Sequence, residues 1–151
     1  MDAMNDYVIP LLRFALKSGD TVTLQADNGK YLSRINHGDR DPVEAVKDSP
    51  DVFSQFEATV LTKSRLVLKA DDGKYLSRIN RGNIDTIDAV KDSPDVFCEF
   101  TVTALEDGKI ALSADTGKFL ARVPNGGDDP IEVVPKESPD ESCLFTIHRI
   151  Q

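Results

Sequence analysis

Three sets of polar residues recur at matched places along the chain: Arg34, Gly38 and Asp41; Arg78, Gly82 and Asp85; Arg122, Gly126 and Asp129. Asn36 and Asn80 accompany the first two sets, and Asn125 stands beside the third. Arginine offers a rigid fork of donors, a carboxylate accepts, and an amide does both. Glycine lets the backbone turn tightly or approach a ligand closely. Together these groups carry the donor and acceptor pattern that reads vicinal hydroxyls of a sugar. The same Arg and Asp would also recur if they bridged the base of a hairpin loop in each copy. Both readings stand at this point.

No catalytic grouping accompanies them. His37 and His148 stand singly, and neither neighbours a Ser or Cys in a nucleophile motif, so no enzymatic activity is expected. The two cysteines and two histidines are scattered without zinc spacing, and no cofactor is expected. The Asp-x-Gly turns lack the further ligands of a calcium loop and read as hairpin turns. Lys30, Lys74 and Lys118 beside those turns read as solvated charges, and Tyr31, Tyr75 and Phe119 as residues that fill the core or cover its rim. Phe53 and Phe97 are replaced by Ser142 in the third copy, so a site using them exists only twice.

Short strands must position these loops, and they come in three copies. Gly29 to Asn36 recurs letter for letter at Gly73 to Asn80, and returns in altered form at Gly117 to Val123. Ala45 to Phe53 recurs at Ala89 to Phe97, while the third version, from Val133, carries one extra residue. Each copy reads as four strands. The first alternates with a period of two (Val22 and Leu24; Leu66 and Leu68; Ile110 and Leu112) and runs into a turn ending in glycine. The second contains Tyr31-Leu32 or its equivalents, and the third lies around Val43, Ile87 and Ile131. A Ser-Pro-Asp corner precedes the fourth, which carries Phe56, Phe100 or Phe145 towards the core. No helical period is present, so the domain is all-β.

Three such units must close on one another to hide their edges. A propeller needs about four or more blades. A barrel walled by the first and fourth strands, with the second and third as capping hairpins, suits three copies directly: a β-trefoil, spanning residues 20–151 as copies 20–63, 64–106 and 107–151. Residues 1–19 lie outside the triplication and could form an edge strand, a plug under the barrel or a dimer contact.

The Asp-x-Gly-Lys-Tyr/Phe-Leu-Ser/Ala motif, between an apolar strand and a later Phe-bearing strand, resembles the repeats of fascin-like and hisactophilin-like β-trefoils. That resemblance implies the fold over about residues 20–150, and an actin-binding or cytoskeletal role as one function. A histidine-based pH switch is not expected with two histidines. β-Trefoils also include lectins, cytokines and protease inhibitors. The repeated polar loops favour a carbohydrate-binding, lectin-like module with up to three equivalent sites and glycans or glycoproteins as partners, with actin as the alternative.

Bulk properties narrow the partners. At 151 residues the chain suits one domain, and a net charge of -8 disfavours nucleic acid, anionic membrane and the acidic actin filament. No apolar run approaches the ~20 residues of a membrane span, and the acidic start lacks the basic region of a signal peptide. Cys98 and Cys143 occupy equivalent places, and a bridge would need their Cα atoms within about 7 Å across the pseudo-threefold axis. Free thiols are the expectation, consistent with a cytoplasmic setting.

Overall fold

The computed structural model describes residues 7–11 and 13–150. The acidic opening Met1 to Asp6, which argued against a signal peptide, lies outside the described residues. Two short strands, β1 (Val8–Pro10) and β2 (Ala15–Lys17), precede the three copies. The first copy supplies β3 (Thr21–Gln25), β4 (Tyr31–Arg34), β5 (Val43–Lys47) and β6 (Phe56–Val60). The second supplies β7 (Arg65–Lys69), β8 (Tyr75–Asn80), β9 (Asp85–Lys91) and β10 (Phe100–Ala104). The third supplies β11 (Lys109–Ser113), β12 (Phe119–Arg122), β13 (Ile131–Val134) and β14 (Leu144–Ile150).

First and fourth strands pair in a closed ring: β3 with β6, β6 with β7, β7 with β10, β10 with β11, β11 with β14, and β14 back to β3. Closure leaves the wall without a free edge. The second and third strands form the hairpins β4–β5, β8–β9 and β12–β13. Alternation along β6 buries Phe56, Ala58 and Val60 and turns Glu57 and Thr59 outward. Phe56, Phe100 and Phe145 are fully buried in one apolar cluster drawn from all three copies.

The hairpins meet one another at their tips. The Ala45 amide donates to the Asp129 carbonyl and the Ala89 amide to the Asp41 carbonyl, both at 2.9 Å. Between the second and third copies, Val133 lies opposite Asp85 in the β9–β13 pairing. Each cap is therefore tied to the next by the backbone of the repeated loop aspartate.

The turn from first to second strand has the same build in every copy. Gly29, Gly73 and Gly117 hold φ between 81° and 85°, and their amides donate back to Ala26, Ala70 and Ala114. This is a three-residue hairpin loop in which only the last residue needs the left-handed region, hence glycine.

The β1–β2 hairpin covers the end of the barrel opposite the caps. Ile9 and Leu16 join the core cluster, Leu11 and Phe14 pack against it, and Arg13 donates to the Ile147 carbonyl at 3.1 Å. Of the three roles open to residues 1–19, the described part acts as a plug. Arg13 passes so close to Gly108 that a Cβ there would stand 2.6 Å from its Nε.

Each Ser-Pro-Asp corner opens a single turn of 3-10 helix, at Val52–Ser54, Val96–Cys98 and Glu141–Cys143. Asp51, Asp95 and Asp140 cap these turns by accepting from the amides of Phe53, Phe97 and Ser142. Lys47, Lys91 and Lys136 pair with the same carboxylates. The Lys47 and Lys91 hydrogen bonds hold Asp51 and Asp95 below the usual carboxylate range, and Ser142 followed by Lys136 does so for Asp140. A depressed folded-state pKa contributes stability above the unfolded pKa and loses it as pH falls through the folded value. Urea midpoints should therefore fall below about pH 4, after a smaller decline that begins below about pH 6.5, because burial and then Arg13 lower the pKa of His148. Burial of Glu132 raises its pKa and acts in the opposite sense. The D51N/D95N/D140N variant should show a flatter acid limb; a limb as steep as the wild type's would remove the corner caps as its cause.

Candidate functional site

The repeated arginines sit on the second strand of each copy, Arg34 and Arg122 at the ends of β4 and β12 and Arg78 two residues before the end of β8. Each reaches across a copy boundary. Arg34 grips Asp71 with Nε and Nη2 at 2.8 and 2.9 Å, Arg78 grips Asp115 at 2.7 and 3.1 Å, and Arg122 grips Asp27 at 2.6 and 3.1 Å. The three two-pronged clasps run round the molecule in one direction and close on themselves. The Asp71, Asp115 and Asp27 hydrogen bonds, opposed by burial, push the three guanidiniums above their usual pKa range.

The loop aspartates brace the same arginines from within their own copies. Arg34 meets Asp41 at 3.0 Å, Arg78 meets Asp85 at 3.5 Å, and Arg122 meets Asp129 at 3.4 Å. Asn36 and Asn80 donate to Asp41 and Asp85 at 2.9 and 2.8 Å and accept from the amides of Gly38 and Gly82. In the third copy Asn125 engages Asp129 through its backbone amide, at 3.4 Å, while the side chain of Asn28 donates to Asp129 at 3.0 Å. Gly38, Gly82 and Gly126 all lie at positive φ. The structure thus gathers the sequence-selected residues into three like clusters, whose polar groups are spent on one another and on Asp71, Asp115 and Asp27; Gly126 shares only the positive φ.

Beside these clusters lie open clefts between successive copies. One, of about 340 Å³, is bordered by Arg65, Glu99 and Thr101 of the second copy and Ser113 and Asp115 of the third. Its equivalent between the third copy and the first, of about 190 Å³, is bordered by Lys109, Glu141, Thr146, Gln25 and Asp27. The matching cross-strand pairs are Thr101 with Ser113 and Thr146 with Gln25. At the third equivalent place the pair is Glu57 with Lys69, and their ion pair at 3.3 Å lies across the space. Asp115 and Asp27, the carboxylates at equivalent places in the two open clefts, are those held by Arg78 and Arg122.

Sequence reasoning assigned Asp27, Asp71 and Asp115 only to turns. Their constant place two residues before each turn glycine was visible, but the clasp across copies was not. It also passed over the acid shared by β5, β9 and β13: Glu44 with His37 at 2.9 Å, Asp88 with two arginines, and Glu132. Among the described residues no group of three or more potential metal ligands is assembled. No helix among them is long and apolar enough to cross a membrane. Cys98 and Cys143 are free and buried, and burial pushes both thiols up in pKa.

A closed six-strand wall with three capping hairpins has close structural counterparts. A designed threefold-symmetric protein, ThreeFoil, superposes with a TM-score of 0.72 at 21% identity, over 84% of this chain and 96% of its own. The chain is a β-trefoil. A lectin of Polyporus squamosus, solved with the epitope Neu5Acα2-6Galβ1-4GlcNAc, shares the trefoil with a TM-score of 0.73 at 11% identity. The likeness covers 87% of this chain but 49% of that lectin, so this trefoil spans about half of its length. A Caenorhabditis elegans protein of unknown function matches end to end, 98% of each chain, with a TM-score of 0.66 at 15% identity. No family model matches the sequence, and no curated protein does.

Proposed function

We propose that this β-trefoil is a non-enzymatic carbohydrate-binding module whose sugars lie in the two open clefts between copies. The observation that carries the reading is the pair of clefts bordered by equivalent hydroxyl, carboxylate and cationic positions. Among the described residues, the side chains of Thr101, Ser113, Lys109 and Thr146 are not engaged in hydrogen bonds, so they are available to a ligand. A carboxylate has about four lone-pair sites, and an arginine fork uses two, which leaves Asp115 and Asp27 able to accept from sugar hydroxyls. The sharing of the trefoil with a lectin supports the same reading.

The repeated arginines then act as positioning residues: Arg78 and Arg122 fix the cleft aspartates, and Asp85 and Asp129 fix the arginines. Two shallow sites on one rigid body suit clustered glycans, where avidity exceeds single-site affinity.

The test is a glycan array followed by titration of the isotope-labelled protein with its best ligand. Amide shifts should concentrate at Thr101, Ser113 and Asp115 and at Gln25, Asp27 and Thr146. T101W and T146W, which fill one cleft each, should each weaken array binding, and the double variant should lose it while remaining folded. An array without bound glycan, or binding untouched in T101W/T146W, ends the proposal. Alanine at Asp41, Asp85 and Asp129 is a poorer probe, because it loosens the clasps as well.

A further inference from the structure

The third copy lacks an aromatic residue that the other two share, and a pocket lies in its place. In the first copy the Phe53 ring lies beneath the Arg34 guanidinium at 5.4 Å and the Lys47 ammonium at 5.1 Å. In the second, Phe97 repeats this with Arg78 at 5.3 Å and Lys91 at 5.1 Å. Both rings lie under two cations that are themselves fixed by carboxylates.

The third copy keeps the cations and lacks the ring. Arg122 is clasped by Asp27 and Asp129, and Lys136 pairs with Asp140 at 2.9 Å, the same four-residue spacing as Lys47 with Asp51. Ser142 stands where Phe53 and Phe97 stand in the other copies. The space left is a pocket of about 420 Å³ bordered by Arg122, Pro124, Val134, Pro135, Lys136 and Ser142. Its walls have changed along with its floor. Pro124 replaces the polar Asn36 and Asn80, and Pro135 comes with the extra residue of the third copy. The result is a largely apolar slot bordered by two cations, Arg122 and Lys136.

We propose that this slot receives an aromatic side chain, Phe or Tyr, presented by a partner polypeptide. The occupant is argued from the chain itself: two copies of the same frame, cations included, already hold a phenyl ring. A guanidinium and an ammonium attract the face of an aromatic ring and give an aliphatic side chain no such return. Proline walls add flat apolar contact, and the volume falls within the range of about 300–1,000 Å³ typical of ligand pockets. A polypeptide is the source that matches the internal occupants, which arrive on a short exposed turn: Val52 and Val96, beside the two rings, are 55% and 53% exposed. The slot shares no lining residue with the two sugar clefts, though Arg122 at its border also clasps Asp27 of one, and it stands whether or not they bind.

The test uses the labelled full chain with N-acetyl-phenylalaninamide as probe and N-acetyl-leucinamide as control. Saturable shifts should appear at Arg122, Val134, Lys136 and Ser142, with the leucine probe about tenfold weaker. Ser142→Phe restores the ring of the other copies, so it should fold normally, raise the melting temperature and abolish the shifts. A displayed peptide library selected on the wild type and counter-selected on S142F should converge on sequences sharing one Phe or Tyr. Equal response to the two probes, shifts that survive S142F, or selected peptides without a common aromatic residue would each overturn the proposal. Glycan binding retained by S142F keeps this outcome distinct from that of the clefts.

Discussion

Replacing Phe100 with alanine should lower the unfolding free energy by about 3–5 kcal/mol, among the largest single-site losses expected in the molecule. Phe100 begins β10 opposite Leu66 and has no exposed surface. Phe56 begins β6 opposite Val22, and Phe145 is the second residue of β14, opposite Ile110; both are equally buried. Truncation removes the ring's transfer free energy and leaves a cavity that a closed barrel cannot collapse, because every wall strand is paired on both sides. F56A and F145A should cost about the same, since all three rings belong to one cluster. For a chain of this size, a loss of that order lowers the melting temperature by about 6–20 °C. F100L, which keeps most of the volume, should lose about 1 kcal/mol. Denaturant titration of the set decides the matter: losses below about 1.5 kcal/mol for an alanine variant would show that its ring is peripheral to the shared core.

The features that made the fold legible are local. Period-two alternation, glycine-ended turns and Ser-Pro-Asp corners each act within a few residues, and verbatim repetition fixed the number of units. What stayed hidden depends on which copies become neighbours. Of the two readings left open for Arg34 and Asp41, the one that bridges the base of the hairpin loop describes their bracing contact. The stronger partner, Asp71, lies in the next copy, and only barrel closure brings it to the guanidinium. The exchange of Phe53 and Phe97 for Ser142 could be read directly from the residues. Its consequence could not, because the pocket depends on Arg122 and Lys136 keeping their places once the ring is gone. The Lys30 and Lys74 ammoniums, read as solvated charges, stay at the surface and pair there with Asp48 and Asp92 of their own copies, because the third-strand corner folds back beside the turn.

Asp88 gives the second large effect, and its origin is electrostatic. Its carboxylate is fully buried yet accepts from four groups: Arg40 Nε at 3.1 Å and Nη2 at 3.2 Å, Arg81 Nη2 at 3.1 Å, and Thr86 Oγ1 at 2.6 Å. Arg40 belongs to the loop of the first copy and Arg81 to that of the second, and the backbone at Pro42 bridges to Asp88 itself. One acid thus ties two caps together where they meet. D88A removes it and leaves two like charges facing each other with no counter-charge between them. Removing one partner from a buried ion pair costs about 3–5 kcal/mol. Both arginines keep about a third of their side chains in solvent and can turn outward, so about 3 kcal/mol, the lower end of that range, is expected. D88N keeps the shape and can still accept from Thr86 and one arginine, and should lose about 1–2 kcal/mol. The discriminating variant is R40M/R81M/D88L. If the loss in D88A comes from stranded charge, converting the whole cluster to apolar side chains should recover much of it. A triple variant as unstable as D88A would instead place the loss in packing at the junction of the caps.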